Sequence, residues 1–230
     1  MSVILSIETA TDVCSVCVSR DGKILSIREI HKGKSHAEVL TSFISECAEE
    51  AKIDLQEIDA VAVSKGPGSF TGLRIGVATA KGLCYALDKP LIAVNTLHGM
   101  AAMRSLKALS DSVIMVPMID ARRMEVYTAA YDLDLREISE VEAVILTQDS
   151  FSTILAENQK LVLFGDGSIK AKALFESNKQ IEFDDEALPS AEGIARIASQ
   201  LYENQLFEDL AYFEPYYLKD FMGPKAKKGS

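Results

Sequence analysis

The run Ser64-Lys65-Gly66-Pro67-Gly68-Ser69-Phe70-Thr71-Gly72 constrains this chain more than any other stretch. An apolar segment at residues 59–64 precedes it, and a long apolar and small-residue segment follows until Pro90 stops it. The run therefore reads as a tight turn from a buried strand into a helix expected over residues 71–87. Gly66 and Gly68 permit positive φ and close backbone approach, and a helix start points free N–H groups at an anion. The spacing G-x-G-x-x-x-G nevertheless departs from the dinucleotide pattern G-x-G-x-x-G, and no Lys-Ser or Lys-Thr follows as in a P-loop. Pro67 also removes a donor. A structural turn is the favoured reading, with a phosphate cradle as the alternative.

The helix behind the turn is unusually apolar. At 100° per residue, Arg74, Lys81 and Tyr85 share one stripe, and nearly every other position is apolar or small. Gly72, Gly76 and Ala80 lie at i, i+4 and i+8, which makes one edge smooth enough for a second helix to approach. An earlier helix opens at Ser35-His36-Ala37-Glu38, which has the form of a capping box, and continues with Val39, Leu40, Phe43, Ile44, Cys47, Ala48 and Ala51 at helical spacing. Both helices carry more apolar surface than one sheet covers. They are expected to offer a platform to a second subunit, centred on His36, Val39, Leu40, Phe43, Gly72, Leu73, Gly76, Val77 and Ala80. The alternative is that they pack only on their own sheet and on each other.

Around these helices, strands are expected at residues 3–7, 14–18 and 24–30 as an antiparallel meander, and a short one at 91–94. The second half repeats the order more loosely. Strands are expected at 113–119, 126–131 and 141–146, then a helix after Thr147, a strand at 161–164 and the turn Gly165-Asp166-Gly167. Each half begins with a strand ending in an acid, Glu8 or Asp120, and later places a glycine turn after a buried strand. A diverged duplication follows, giving two α/β lobes of order β-β-β-α-β-α-β with mixed sheets and a cleft between them. The first lobe is expected over residues 1–98 and the second over 99–222, with a helix at 191–204 packed on one of them. Residues 223–230, with Lys225, Lys227 and Lys228, read as a disordered basic tail.

The net charge of -10 argues against a chain that grips nucleic acid alone. No apolar run reaches membrane-spanning length and the N-terminus lacks a basic signal region, so a cytoplasmic protein is expected. Cys14 and Cys17 form a C-x-x-C within a strand, where their spacing sends them to opposite faces, so reduced thiols are expected. His36 has Lys32 and Leu40 four residues either side and no histidine partner for a metal. Ser69 lies outside a nucleophile elbow, and His98 has no readable carboxylate partner. Glu8, Thr9, Gly66, Gly68, Asp120 and Gly165 are the candidates for a Mg-nucleotide site, although each acid suits an ordinary strand-end turn as well.

Four stretches carry a resemblance to a known family: Ile7-Glu8-Thr9-Ala10-Thr11, Ser35-His36-Ala37-Glu38, Ser64 to Gly76 followed by Ala80-Lys81-Gly82-Leu83, and Tyr217-Leu218-Lys219-Asp220. On these the chain resembles the TsaB (YeaZ) family, a degenerate branch of the actin-like ATPase (ASKHA, ribonuclease H-like) superfamily. The resemblance implies a two-lobed actin-like fold and a role in making threonylcarbamoyladenosine beside the anticodon of tRNAs that read codons beginning with A. It implies a non-catalytic subunit of a transferase, TsaD, joined through the first two long helices, with an ATPase, TsaE, as third component. Transfer RNA would be met only through the complex, and the chain alone would form a homodimer. It also implies that no cofactor is required, with ATP or ADP and Mg as a weak or interface-bound ligand. The rival reading is an independent actin-like ATPase or small-molecule kinase.

Overall fold

The computed structural model describes residues 1–31, 35–104, 113–155, 159–185 and 187–219. Lys32, Asp220 and the expected basic tail at 223–230 lie outside the described residues.

The first half folds as β1 (Val3–Glu8), β2 (Cys14–Arg20), β3 (Lys23–Ile30), α1 (His36–Ala51), β4 (Ala60–Gly66), α2 (Phe70–Leu87) and β5 (Leu91–Asn95). These strands form one sheet of order β3-β2-β1-β4-β5. β1, β2 and β3 pair antiparallel, whereas β4 pairs parallel with β1 and with β5. Helix α3 (Thr96–Arg104) follows at once, its first turn held by Asn95, whose Oδ1 accepts the Leu97 N–H at 2.9 Å. The second half folds as β6 (Val113–Asp120), β7 (Glu125–Tyr131), β8 (Glu137–Ile145), β9 (Lys160–Phe164), α4 (Ser168–Phe175), β10 (Ile181–Asp184) and α5 (Ala191–Glu203). Its sheet has the order β10-β9-β6-β7-β8, which is the first sheet's order taken from the other edge, so the expected duplication is present. The helix expected after Thr147 is replaced by turns closed by Ser150 N–H to Thr147 and Ile154 N–H to Phe151. Phe151 there has φ 71, a left-handed backbone that no α-helix continues through.

β1 and β4 are buried on both faces, which is why they read as continuous apolar runs. Leu5, Ile7, Val61 and Val63 join the core beneath α1 and α2. Ile4, Ala60 and Ala62 point the other way, into a cluster with Ile194, Ile197 and Ala198 of α5. Small alanines on that side let α5 lie close to the sheet. Here the expected division at residue 98 needs correction. Helix α5, from the second half of the sequence, packs across the first sheet, while α3 packs on β6 and β7 and against α5. The two helices cross at Gly99 and Gly193, where a Cβ on Gly193 would stand 2.2 Å from the Gly99 carbonyl oxygen.

Residues 206–219 then return over the first lobe as a strap. Glu208 bridges to Leu91 at the sheet edge, and Leu210 and Phe213 pack onto the first core. The Tyr216 N–H donates to the Lys65 carbonyl at 2.7 Å, and Lys219 pairs with Glu125 of the second lobe. All four cysteines are free and buried, and burial pushes the thiols of Cys14, Cys47 and Cys84 up to about 11.

Candidate functional site

The glycine turn is filled by its own lobe. Ala10, just past β1, accepts the Ser69 N–H at 2.6 Å, and Ser69 caps α2 by accepting the Gly72 N–H at 3.3 Å. A Cβ at Gly68 would lie 2.3 Å from the Ala10 carbonyl oxygen, and one at Gly66, whose φ is 109, would lie 2.6 Å from that of Tyr216. Thr9 donates from Oγ1 to the Gly72 carbonyl at 2.9 Å. These glycines are thus required by close approach of protein backbone, and two donors of the turn, the Ser69 and Gly72 N–H groups, are taken by protein oxygens. Ala10 and Tyr216 thereby occupy the space that Gly68 and Gly66 leave open.

Glu8 lies beneath the same turn at 1% exposure. Its Oε1 accepts the Ala10 N–H at 2.6 Å and the Ser64 hydroxyl at 3.0 Å, while Oε2 is buried without a partner among the described residues. Burial is the main cause that pushes its carboxyl up to about 7, against those hydrogen bonds. In the second lobe, Asp120 ends β6 exposed and accepts Lys170 at 2.7 Å. Its backbone N–H donates to Asp166 at 3.0 Å. Burial raises the pKa of Asp166, with further contributions from Asp120 and from Asp12 of the opposite lobe. Gly165 has φ 92 and sits where a Cβ would meet the Met118 carbonyl oxygen at 2.3 Å. Glu8 and Gly66 end β1 and β4 as Asp120 ends β6 and Gly165 follows β9, and of these Gly66 is the one that meets the strap, at Tyr216. Among the described residues no group of three or more His, Cys, Asp or Glu is placed to hold a metal ion. His98 stacks on Tyr131 with ring centres 5.2 Å apart, and burial lowers its pKa. A cavity of about 350 Å³ between the lobes is lined by Lys65, Asn95, Glu137, Glu140, Val141 and Tyr216.

The helix pair is exposed on a different face from the one expected. Val39, Leu40, Gly72, Leu73, Gly76, Val77 and Ala80 are all buried in the lobe, and His36 and Phe43 are half-buried. His36 Nε2 lies 3.1 Å from the Val13 carbonyl oxygen. The expected smooth edge is corrected at Gly76, where a Cβ would stand 2.2 Å from Thr9 Oγ1, and at Gly72, where it would meet the Thr9 carbonyl oxygen at 2.1 Å. These glycines admit the β1–β2 loop of the same chain.

The open side of α2 carries Thr71, Ala78, Gly82, Tyr85 and Ala86. Ala78, Gly82 and Ala86 repeat the i, i+4, i+8 spacing of small residues, and among the described residues a Cβ at Gly82 would meet nothing within 4 Å. Tyr85 is 86% exposed beside them. The flank toward the strap is closed: Lys81 donates to the Ala211 and Phe213 carbonyls, and Arg74 reaches the Tyr217 hydroxyl at 3.3 Å while lying 4.0 Å over the Phe70 ring. α2 is thus apolar inward, strapped on one flank, and uncharged and small on its free face. The signal for that face was present as a second small-residue repeat, but spacing alone does not say which repeat points out.

A family model described as TsaD, tRNA N6-adenosine threonylcarbamoyltransferase, matches residues 24–227. The chain is 32% identical over 230 residues to the tRNA threonylcarbamoyladenosine biosynthesis protein TsaB of Escherichia coli (strain K12), covering 98% of each. Its fold is similar to that of YeaZ from Pseudomonas aeruginosa, with a TM-score of 0.81 and 26% identity over 95% of this chain and 100% of that one. The inorganic polyphosphate/ATP-glucomannokinase of Arthrobacter sp. strain KM shares the two-lobed fold alone, with a TM-score of 0.50 and 12% identity over 88% of this chain and 100% of the kinase. The α/β, two-lobed actin-like fold expected from the sequence is the fold observed.

Proposed function

The chain belongs to the TsaB (YeaZ) family, and from that premise we propose that it acts in forming N6-threonylcarbamoyladenosine in tRNA as the non-catalytic partner of the related transferase, TsaD. The observation that carries this reading is the free face of α2. Ala78, Gly82 and Ala86 offer a surface on which a second helix packs at short range, and Tyr85 supplies an exposed aromatic anchor at its side. Among the described residues nothing lies within 4 Å of a Cβ at Gly82, so the lobe's own packing leaves this face open.

The same reading gives the chain no reaction to catalyse. Ser69 is a helix cap, the cysteines are buried with raised pKa values, and Glu8 is closed in beneath the glycine turn. The transferase supplies the chemistry, and this subunit stabilises and places it, with the ATPase component TsaE joining the pair. Alone, the chain would pair with itself through the same face about a two-fold axis.

Reconstitution tests the proposal. Purified transferase is assayed for threonylcarbamoyladenosine with and without this chain, and the product is expected only, or far faster, when both are present. Turnover of Mg-ATP by the isolated chain, with no effect on the transferase, would instead establish an independent actin-like ATPase or kinase.

A further inference from the structure

Helix α5 carries Arg196, Ser199 and Gln200 at i, i+3 and i+4, so the three share one side of it, and that side lines a cavity of about 330 Å³. The other walls are the β2–β3 turn at Asp21, Gly22 and Lys23, Ala102 of α3, and Leu135 between β7 and β8, so residues of both lobes meet there. The cavity stands at the opposite ends of β1 and β6 from Glu8 and Asp120. The Asp21 N–H donates to the Ser2 carbonyl at 2.9 Å, which puts the β2–β3 turn at the start of β1, while Glu8 and the glycine turn stand at its end. In the second lobe Tyr131 ends β7 opposite Met115, near the start of β6, whereas Asp120 closes β6.

The α5 side of the cavity holds donors that the protein does not use. Ser199 is only 8% exposed, yet its hydroxyl makes no hydrogen bond among the described residues. A Cβ on Gly22, across the cavity, would stand 3.6 Å from that oxygen, which places the hydroxyl toward the turn. Arg196 donates from Nη2 to Glu192 at 2.7 Å, whereas its Nε is buried with no partner among the described residues. Buried donors in native proteins ordinarily meet an acceptor, and here the acceptor has to come from the cavity side. The acid in the lining does not supply one, because Asp21 Oδ1 is turned to the chain beside it and accepts the Ser2 N–H at 2.7 Å. Ala102, Leu135 and Ile197 make the remaining wall apolar.

We propose that this cavity binds a small organic oxyanion, its carboxylate or phosphate head on Arg196 and Ser199 with Lys23 at the rim, and its short apolar body against Ala102, Leu135 and Ile197. A guanidinium and a hydroxyl one helical turn apart suit such a head, since both donate and the guanidinium keeps its charge at every pH the protein meets. The volume falls in the range of pockets that enclose small ligands, and an apolar wall with a few convergent polar groups is their usual lining. A ligand there touches the first-lobe hairpin and the second-lobe turn at once. The inference stands apart from the role proposed above, because neither the free face of α2 nor the glycine turn contributes to the cavity.

The test is a titration of the full nitrogen-labelled chain with sodium butyrate, with inorganic phosphate, and with sodium chloride at matched ionic strength, followed through the amide NMR shifts. Butyrate or phosphate is expected to move the amides of residues 21–23, Leu135 and residues 196–200 along a saturating curve with its midpoint below about 10 mM, and chloride is expected to leave them in place. Tighter binding of butyrate assigns the head to a carboxylate, and tighter binding of phosphate assigns it to a phosphate ester. Arg196→Met keeps the aliphatic stem and is expected to raise the midpoint at least about tenfold, and Ser199→Ala about threefold. Shifts that never saturate, that fall outside these residues, or that follow chloride equally would overturn the proposal. So would midpoints unchanged in both variants. Should Arg196→Met fail to fold, Ser199→Ala decides alone, with an unchanged midpoint overturning the site.

Discussion

Glu8 shows how far burial changes a single residue. An acid at the end of the first strand invites a metal or nucleotide reading, but its environment favours the protonated form. With a carboxyl at about 7 in the folded chain and an ordinary value of 4.5, the folded state binds a proton more tightly than the unfolded one. Stability is therefore lost as pH rises from 4.5 through 7, by on the order of 3 kcal/mol. Glu8→Gln is expected to remove that loss and to exceed the wild type in stability at pH 8, as urea unfolding at pH 5 and pH 8 would show. Parallel pH dependence in the two proteins would refute it. Two glycines of α2 give a second pair of outcomes from one substitution. Gly76→Ala places a Cβ 2.2 Å from the bonded hydroxyl of Thr9 and is expected to cost about 2–4 kcal/mol. Gly82→Ala meets open space and is expected to stabilise the isolated chain by about 0.5–1 kcal/mol, because glycine is a poor helix former. Denaturant midpoints of the two variants would move in opposite directions.

At the scale of the element, α2 divides its circumference between two neighbours and an open face. Leu73, Val77, Ala80 and Cys84 are buried toward the sheet, Phe70, Arg74 and Lys81 meet the strap, and Ala78, Gly82 and Ala86 remain free. The free face predicts that Gly82→Arg leaves unfolding within about 1 kcal/mol of the wild type yet abolishes co-elution with the transferase, since a long charged side chain there would hold helices apart. Retained co-elution in size-exclusion chromatography would rule out this face as the interface. Gly76→Arg, by contrast, would fail through misfolding and would say nothing about assembly. The helix itself, its start after the glycine turn and its stop near Pro90 were legible in the sequence, because turn and proline chemistry act locally, whereas the cap at Ser69 was not read there. Its orientation was not. Two small-residue repeats run along it, and helical periodicity cannot rank them when almost every position is apolar or small.

For the whole molecule, the α3–α5 crossing at Gly99 and Gly193 and the strap that runs from Leu91 to Glu125 both join the lobes. Ending the chain after Gln205 would strip Leu210 and Phe213 from the first core and remove the Lys219 pair. That truncation is expected to cost about 2–4 kcal/mol, measurable by thermal unfolding, and to widen the molecule in small-angle scattering. The duplicated strand order was readable from sequence because each half repeats its own turns, buried strands and strand-end acids, all of which are local patterns. The acidic net charge and the glycine turn were readable for the same reason. Tertiary structure alone decided that α5 covers the first sheet, that residues 206–219 cross both lobes, and that the turn receives Ala10 of the β1–β2 loop. Each of these depends on groups far apart in sequence meeting at van der Waals or hydrogen-bond distance. Periodicity records which side chains are apolar, but not which distant backbone comes to lie against them.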